Sequence, residues 1–464
     1  MNPATSIRLF LLSCKNFILK NLIKPVFERA FRFFTDSGLK AAIRAQAEKH
    51  PFVEINLRKI HLKLIDFHLN QARTLKIREN SHAKVLFVDV TLLILEDFKT
   101  GIQRVARSIL MQLLENPPQG YVIQAIYSER HSGYKLANAD LGPDGELSLV
   151  WDEADDIIAV SAGDIFLGLD FVCMPTLIEK PYLQTIRLQG VKVYFVVYDL
   201  LPVQFPAYFP PVSNQFHEKW LKTIAKFDGV ICISKTVADE YRAWAAAKRI
   251  KLDDQFKLSY FHLGADLDHS SPTKGLPSDA AAMLGTFSAK TTFLLVGTIE
   301  PRKGYGQMIE AFSALWSQGV DVNLVIVGKV GWNIEALVQS IATHPELGKH
   351  LYWLQGITDE YLEKIYDASA CLIAASEAEG FGLPIIEAAK KGIPVIARDI
   401  PVFREVAGNA AFYFSDKSTA PISAQILNWL ELQKTNSQPK STEIQYINWQ
   451  QSAEQLKNAL LNQT

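Results

Sequence analysis

Glu379-Gly380-Phe381-Gly382-Leu383-Pro384-Ile385-Ile386-Glu387 sets two carboxylates eight positions apart around a pair of glycines. The run before it, Ala370-Cys371-Leu372-Ile373-Ala374-Ala375-Ser376, is short and apolar, which predicts a buried strand. Ile386-Glu387-Ala388-Ala389-Lys390-Lys391 predicts a helix. The glycines therefore fall at a strand-to-helix turn, where backbone N–H groups point outward and can meet an anion. A helix beginning here carries Glu387 into its first turn or two, so both carboxylates can face one pocket. The stretch alone also fits a solvated loop glutamate followed by a surface helix glutamate.

Outward from this stretch, strands and helices alternate. In the second half, strands are expected at Thr292 to Gly297, Val322 to Val327, Leu351 to Leu354, Ala370 to Ala374 and Ile393 to Ala397. In the first half they are expected at Ala83 to Val90, Tyr121 to Tyr127, Asp164 to Leu169, Val191 to Val197 and Gly229 to Ile233. Helices are expected from Thr100 through Leu114, over Asn214 to Ala225 and over Thr236 to Ala246. Residues 266–290, rich in Ser, Pro, Gly, Asp and Ala, read as the linker between the halves. The fold class is α/β, two Rossmann-like βα domains facing a cleft. Ligands of such sheets bind beyond the carboxyl ends of the strands. The domains run over 81–285 and 286–440, with 441–464 as a C-terminal helix crossing back to the first domain.

Composition sets the bounds. At 464 residues, 48% hydrophobic and 21% charged, the chain is an ordinary globular sequence of two or three domains. A net charge of −1 gives no argument for nucleic acid. Its four cysteines, Cys14, Cys173, Cys232 and Cys371, form no CxxC pair, which suits a reducing cytosol rather than a disulfide framework or zinc site. No apolar run reaches the roughly 18 residues of a spanning helix, and the N-terminus lacks the features of a signal peptide.

Residues 1–80 hold 15 Lys and Arg against 6 Asp and Glu, interleaved with Phe10, Phe17, Phe27, Phe31, Phe33 and Phe34. A basic helical extension with an aromatic face can lie in the interface of an anionic membrane. The competing expectation is a helical layer packed on the body. Either way the localisation expected is cytoplasmic, at most peripheral to the membrane.

The loop Gly297-Thr298-Ile299-Glu300-Pro301-Arg302-Lys303-Gly304 follows the first strand of the second half. Adjacent cations, a glycine and a helix N-terminus suit a diphosphate, since charge-assisted bonds and the helix dipole act together. From about residue 292 to 415, through Glu405-Val406-Ala407-Gly408-Asn409-Ala410-Ala411, the chain resembles the retaining, nucleotide-sugar-dependent GT-B glycosyltransferases of the family 4 type. Leu324-Val325-Ile326-Val327-Gly328, the opening stretch and Gly392-Ile393-Pro394-Val395-Ile396 carry the likeness in between. In the first half, Thr100-Gly101-Ile102-Gln103-Arg104-Val105, Tyr198-Asp199-Leu200-Leu201-Pro202 and Ile231-Cys232-Ile233-Ser234-Lys235 look like a subgroup that includes bacterial cell-surface mannosyltransferases.

The resemblance implies transfer of a hexose, mannose first, from a nucleotide diphosphate sugar to a glycan or lipid-linked acceptor hydroxyl. GDP-mannose is the favoured donor, with no metal required. Arg302 and Lys303 would bind the diphosphate and stabilise the departing nucleotide. Glu387 would take the ribose hydroxyls, and Glu379 would contact the transferred sugar. The N–H groups near Gly380, Phe381, Gly382 and Leu383 would hold the sugar and distal phosphate, with Gly297 and Gly328 lining the same site. Gly101, Tyr198 and Asp199 fall on the acceptor side. Two positions depart from the family pattern. Thr298 stands where an arginine is common, and Tyr198 where many relatives carry histidine, which removes a neutral base near pH 7.

Asp266-Leu267-Asp268 superficially matches a metal-binding DxD but is expected to be a structural turn. The ten histidines show no ligand spacing. An epimerase or phosphorylase of related fold, or an idle donor-binding scaffold, are the alternative readings.

Overall fold

Runs such as Val85 to Asp89 and Asn323 to Val327 are buried at every position. Such a run can only be a strand covered by helices on both faces. The computed structural model describes residues 76–461, except 79–82, 97–99, 130–132, 143–145, 152–156, 172 and 267–272. The chain divides into units 1–72 and 73–464, and all the described residues belong to the second. The membrane-contact expectation lies outside the described residues, as does Asp268. The basic extension drawn to residue 80 ends earlier, because Lys76–Ile77 is already a strand of the second unit.

The first domain contains β1 (Lys76–Ile77), β2 (Lys84–Asp89), β3 (Tyr121–Tyr127), β4 (Lys135–Leu141), β5 (Leu147–Trp151), β6 (Ala159–Val160), β7 (Ile165–Gly168), β8 (Lys192–Val197), β9 (Gly229–Cys232) and β10 (Lys257–Tyr260). Eight of these form one sheet in the order β10-β9-β8-β7-β2-β3-β4-β5, and β1 pairs with β6. It is parallel from β10 to β3, and the β4–β5 hairpin adds an antiparallel edge. The second domain contains β11 (Thr292–Val296), β12 (Asn323–Val327), β13 (Leu351–Leu354), β14 (Cys371–Ala374), β15 (Val395–Arg398) and β16 (Phe412–Phe414). These make a wholly parallel sheet in the order β13-β12-β11-β14-β15-β16. Strand order reverses beside β2 in the first sheet and beside β11 in the second. These reversal points open the crevices in which α/β sheets bind ligands.

The linker expectation needs correction. Ala280–Ser288 is a helix, and Ala280 and Phe287 are buried, Phe287 edge-on to Tyr352. Its alanines favour helix, and the Ser/Pro/Gly content that suggested a loop belongs to the residues before it.

The domains share one apolar core. Phe261 and Leu263 of the first and Phe381, Ile385 and Phe403 of the second belong to a single buried cluster. The helix Trp449–Leu461 joins it, packing on the Gly101–Glu115 helix, β9 and β10. Asp266 ties this helix down: its carboxylate accepts the Trp449 N–H at 2.8 Å, and its carbonyl accepts the indole N–H at 2.9 Å. Gly264 allows the approach, since a Cβ there would lie 2.6 Å from the Trp449 nitrogen. Trp449 is fully buried. Trp449→Ala should cost about 3–5 kcal/mol, read as a lower urea midpoint by tryptophan fluorescence. A shift below about 1 kcal/mol would mean that the tail does not anchor the domain.

Candidate active site

The loops after β11 and β14 meet at the strand-order reversal of the second sheet. Pro301–Lys303 forms a single 3-10 turn that ends at Gly304 with φ +73°. Only glycine fits there, because a Cβ would stand 2.5 Å from the Ala375 carbonyl oxygen. The close contact seats Arg302 and Lys303 beside the residues that follow β14, and the Glu377 N–H donates to the Arg302 carbonyl at 2.8 Å. Gly297 and Gly328 lie at the carboxyl ends of β11 and β12, and the Tyr305 hydroxyl donates to the Gly297 carbonyl at 2.6 Å.

Glu379 lies between the two cations. One carboxylate oxygen accepts from Lys303 Nζ at 2.5 Å and Ser376 Oγ at 2.6 Å, and the other pairs with Arg302 Nη1 at 2.9 Å. Arg302 also pairs with Glu300 at 3.0 Å and donates to the Ala378 carbonyl at 2.8 Å. The Glu379 side chain is 12% exposed. Burial pushes its carboxyl pKa up, but Arg302 and Lys303 outweigh burial and bring it down to about 2. Glu379 is therefore an anion throughout the neutral range and has no proton to give. Glu300 lacks that double pairing, and burial holds its pKa above the ordinary value despite Arg302.

Glu387 sits in the second turn of the helix Leu383–Lys390 and is 4% exposed. The Tyr366 hydroxyl donates to one of its oxygens at 2.7 Å, and Arg104 Nη1 pairs with the other at 2.8 Å. Burial and Glu387 itself hold the Tyr366 phenol well above its ordinary pKa, so it stays a neutral donor. Arg104 belongs to the Gly101–Glu115 helix of the first domain, so this ion pair crosses the cleft.

That helix begins with a capping box: the Thr100 hydroxyl accepts the Gln103 N–H, and the Gln103 side chain accepts the Thr100 N–H, each at 3.3 Å. Gly101 is exposed at its first position and faces Leu383. Gly380 crosses the cleft more closely. A Cβ on it would fall 2.1 Å from the Tyr198 carbonyl oxygen, and its own carbonyl accepts from Ser234 Oγ at 2.8 Å. The Phe381 ring is buried near His262, which leaves only its backbone for a ligand. The expectation for Tyr198 is corrected. Its side chain is buried and its hydroxyl donates to the Leu169 carbonyl at 2.9 Å, so its phenol belongs to the core rather than to the acceptor side. Asp199 is half-buried, with one oxygen accepting the Leu201 N–H at 3.0 Å.

Four contributors are not evident from the sequence. Arg104 and Glu405 stand inside motifs, with no sign there of a cross-domain partner. Glu405 accepts from the backbone N–H groups of Lys235 and Thr236, each at 2.7 Å, and lies 2.8 Å from His262 Nε2. It thus caps the Lys235–Ala247 helix from the opposite domain. Tyr208 donates to Glu377 at 2.8 Å, and its carbonyl accepts from the Trp332 indole at 2.7 Å. Tyr366 carries no local signal at all. The space enclosed by Lys303, Ser376, Glu379, Gly382 and Phe403 is about 20 Å³, roughly one water.

Two Rossmann-like domains with facing strand ends and a cation-bound glutamate at the second switch point define a GT-B protein. Anabaena HepE, crystallised with UDP and glucose, has the same fold: TM-score 0.54 at 15% identity, covering 82% of this chain and 100% of that one. Residues 281–445 match the family described as Glycosyl transferases group 1. The serotype-specific mannosyltransferase WbdA of Escherichia coli is 42% identical over 380 residues, 80% of this chain and 46% of WbdA. The O-antigen chain mannosyltransferase B of Escherichia coli is 32% identical over 139 residues, 30% of this chain and 36% of that protein. Residues 281–445 are thus a group 1 glycosyl transferase domain. It spans about half the length of the WbdA proteins it matches.

Glu379→Gln leaves two buried cations without their shared anion and should destabilise the protein by about 3 kcal/mol at neutral pH. A carboxylate with a depressed folded pKa contributes fully above its unfolded value and loses that contribution as pH falls through the folded one. The stability gap between wild type and variant should therefore be flat above pH 4.5 and close as pH falls toward about 2. Denaturant titrations at stepped pH measure it, and a gap that closes near neutrality would contradict the pairing.

Proposed function

We propose that this chain transfers a mannosyl group from GDP-mannose to a hydroxyl of a glycan or lipid-linked glycan, with retention, in bacterial cell-surface polysaccharide synthesis. The observation that carries the reading is the Glu379–Arg302–Lys303 cluster at the β11/β14 reversal, facing the helix that begins at Gly101. The activities for which WbdA and O-antigen chain mannosyltransferase B are named support mannose and a polysaccharide acceptor.

The proposed chemistry follows from the charges. The bond from the anomeric carbon to the diphosphate breaks, the acceptor oxygen bonds to that carbon on the same face, and its proton passes to the departing phosphate oxygen. Arg302 and Lys303 stabilise the charge that grows on the leaving group, the effect that usually dominates such catalysis. No metal has a part in this scheme. Glu387 anchors the ribose diol. Glu379 orients a sugar hydroxyl rather than attacking the anomeric carbon, because both its oxygens are already bound by Lys303, Ser376 and Arg302. Asp199, on the first domain, serves the acceptor hydroxyl. The basic N-terminal segment that precedes β1 would hold the enzyme at the inner face of the membrane, near a lipid-linked acceptor.

A saturation-transfer screen of nucleotide sugars identifies the donor, and GDP-mannose should give the strongest signal. With donor and a mannose-terminated lipid-linked acceptor, the product should gain an α-linked hexose by mass spectrometry and anomeric coupling. Lys303→Ala and Glu387→Ala should each lower kcat/KM by about 100-fold or more with circular dichroism unchanged. Full activity in either variant would remove its residue from the site, and turnover of donor without acceptor would point to an epimerase.

A further inference from the structure

Arg104 lies one turn inside its helix and reaches across the cleft to Glu387 with a single nitrogen. Its Nε and Nη2 are buried and donate to no acceptor. A guanidinium carries five N–H donors in a rigid fork suited to phosphate and carboxylate, so two buried idle nitrogens, with three N–H groups between them, are costly unless another anion uses them.

The surrounding charges narrow the identity of that anion. On the second domain, Arg302 and Lys303 are already balanced by Glu300 and Glu379 within 3.0 Å. A diphosphate arriving there meets a neutral set. Glu387 differs, because its cation comes from the first domain. A ribose diol donating to Glu387 competes for the oxygen that Arg104 holds. Being neutral, the diol releases the guanidinium without replacing its counter-ion, close to the phosphates joined to the same ribose.

We propose that Arg104 is a donor-binding residue that exchanges partners, pairing with Glu387 in the unliganded enzyme and moving onto the diphosphate once ribose takes Glu387. The role rests on Glu387 being the ribose anchor proposed above. Since Arg104 stands on the first domain and Arg302 and Lys303 on the second, the loaded diphosphate holds the two domains together. A nucleoside without phosphates must break the same ion pair and offers the guanidinium nothing in exchange.

Calorimetric titration of guanosine and GDP, with uridine and UDP alongside, tests this on wild type, Arg104→Met and Arg104→Lys. Arg104→Met should weaken diphosphate binding by about tenfold or more while nucleoside binding holds or tightens. Arg104→Lys should recover part of the diphosphate affinity. Equal weakening of nucleoside and diphosphate would mean a structural role and overturn the proposal. Tightening of both would leave Arg104 a mere competitor and overturn it as well. Glu387→Gln separates the two readings: if it binds nucleoside as wild type does, the ribose assignment fails, whatever Arg104 does to the diphosphate. If wild type binds none of the four probes, both readings fall.

Discussion

A carboxylate buried between two cations organises the second domain. Glu379 can be ionised away from water only because Arg302 and Lys303 come to it, and they come from the loop of the neighbouring strand. That demand fixes the register of two loops against each other and explains why Gly304 presses on Ala375. The same logic extends across the cleft. Glu387, Glu405 and Glu377 all stand on the second domain, and all find donors on the first: Arg104, the capped helix start at Lys235 and Thr236, and Tyr208. The interface is held by satisfied carboxylates laid over a shared apolar core.

The chemistry available to Glu379 narrows accordingly. Its low pKa removes it as a proton donor, and its three bonds leave little freedom to approach a sugar carbon. What the geometry offers most directly is the N–H donors of Arg302 and Lys303, held in place by the carboxylate. The first domain's face of the cleft is correspondingly spare in side-chain chemistry, with Gly101 open at a helix start and one Asp199 oxygen engaged by the Leu201 N–H.

Much of this was legible in the sequence, for physical reasons. Strands buried on both faces read as unbroken apolar runs, so β11, β12 and β14 could be placed within a residue or so. The glycines and cations of the cleft announced themselves by their place at strand ends. The hairpin β4–β5 did not, because Lys135-Leu-Ala-Asn-Ala-Asp-Leu141 lies on a half-solvated edge and has few β-branched residues. β10 was missed for a like reason, and the Ala280–Ser288 helix was hidden behind a turn-rich neighbour. Long-range pairing is the deeper gap. Arg104 and Glu387 are 283 positions apart, and nothing local to either shows the other. Tyr198 shows the converse: its motif suggested the cleft, while its phenol turned into the core to satisfy the Leu169 carbonyl.

The chain passes between the domains twice, after Ala265 and again before Trp449, and the two passages are tied side by side. Gly264 bridges Ile447 in parallel, and the Ala265 N–H donates to the Ile447 carbonyl at 2.9 Å. The outward and the returning passage therefore form one paired seam rather than two independent tethers, and neither can slip along its own axis without breaking its bond to the other.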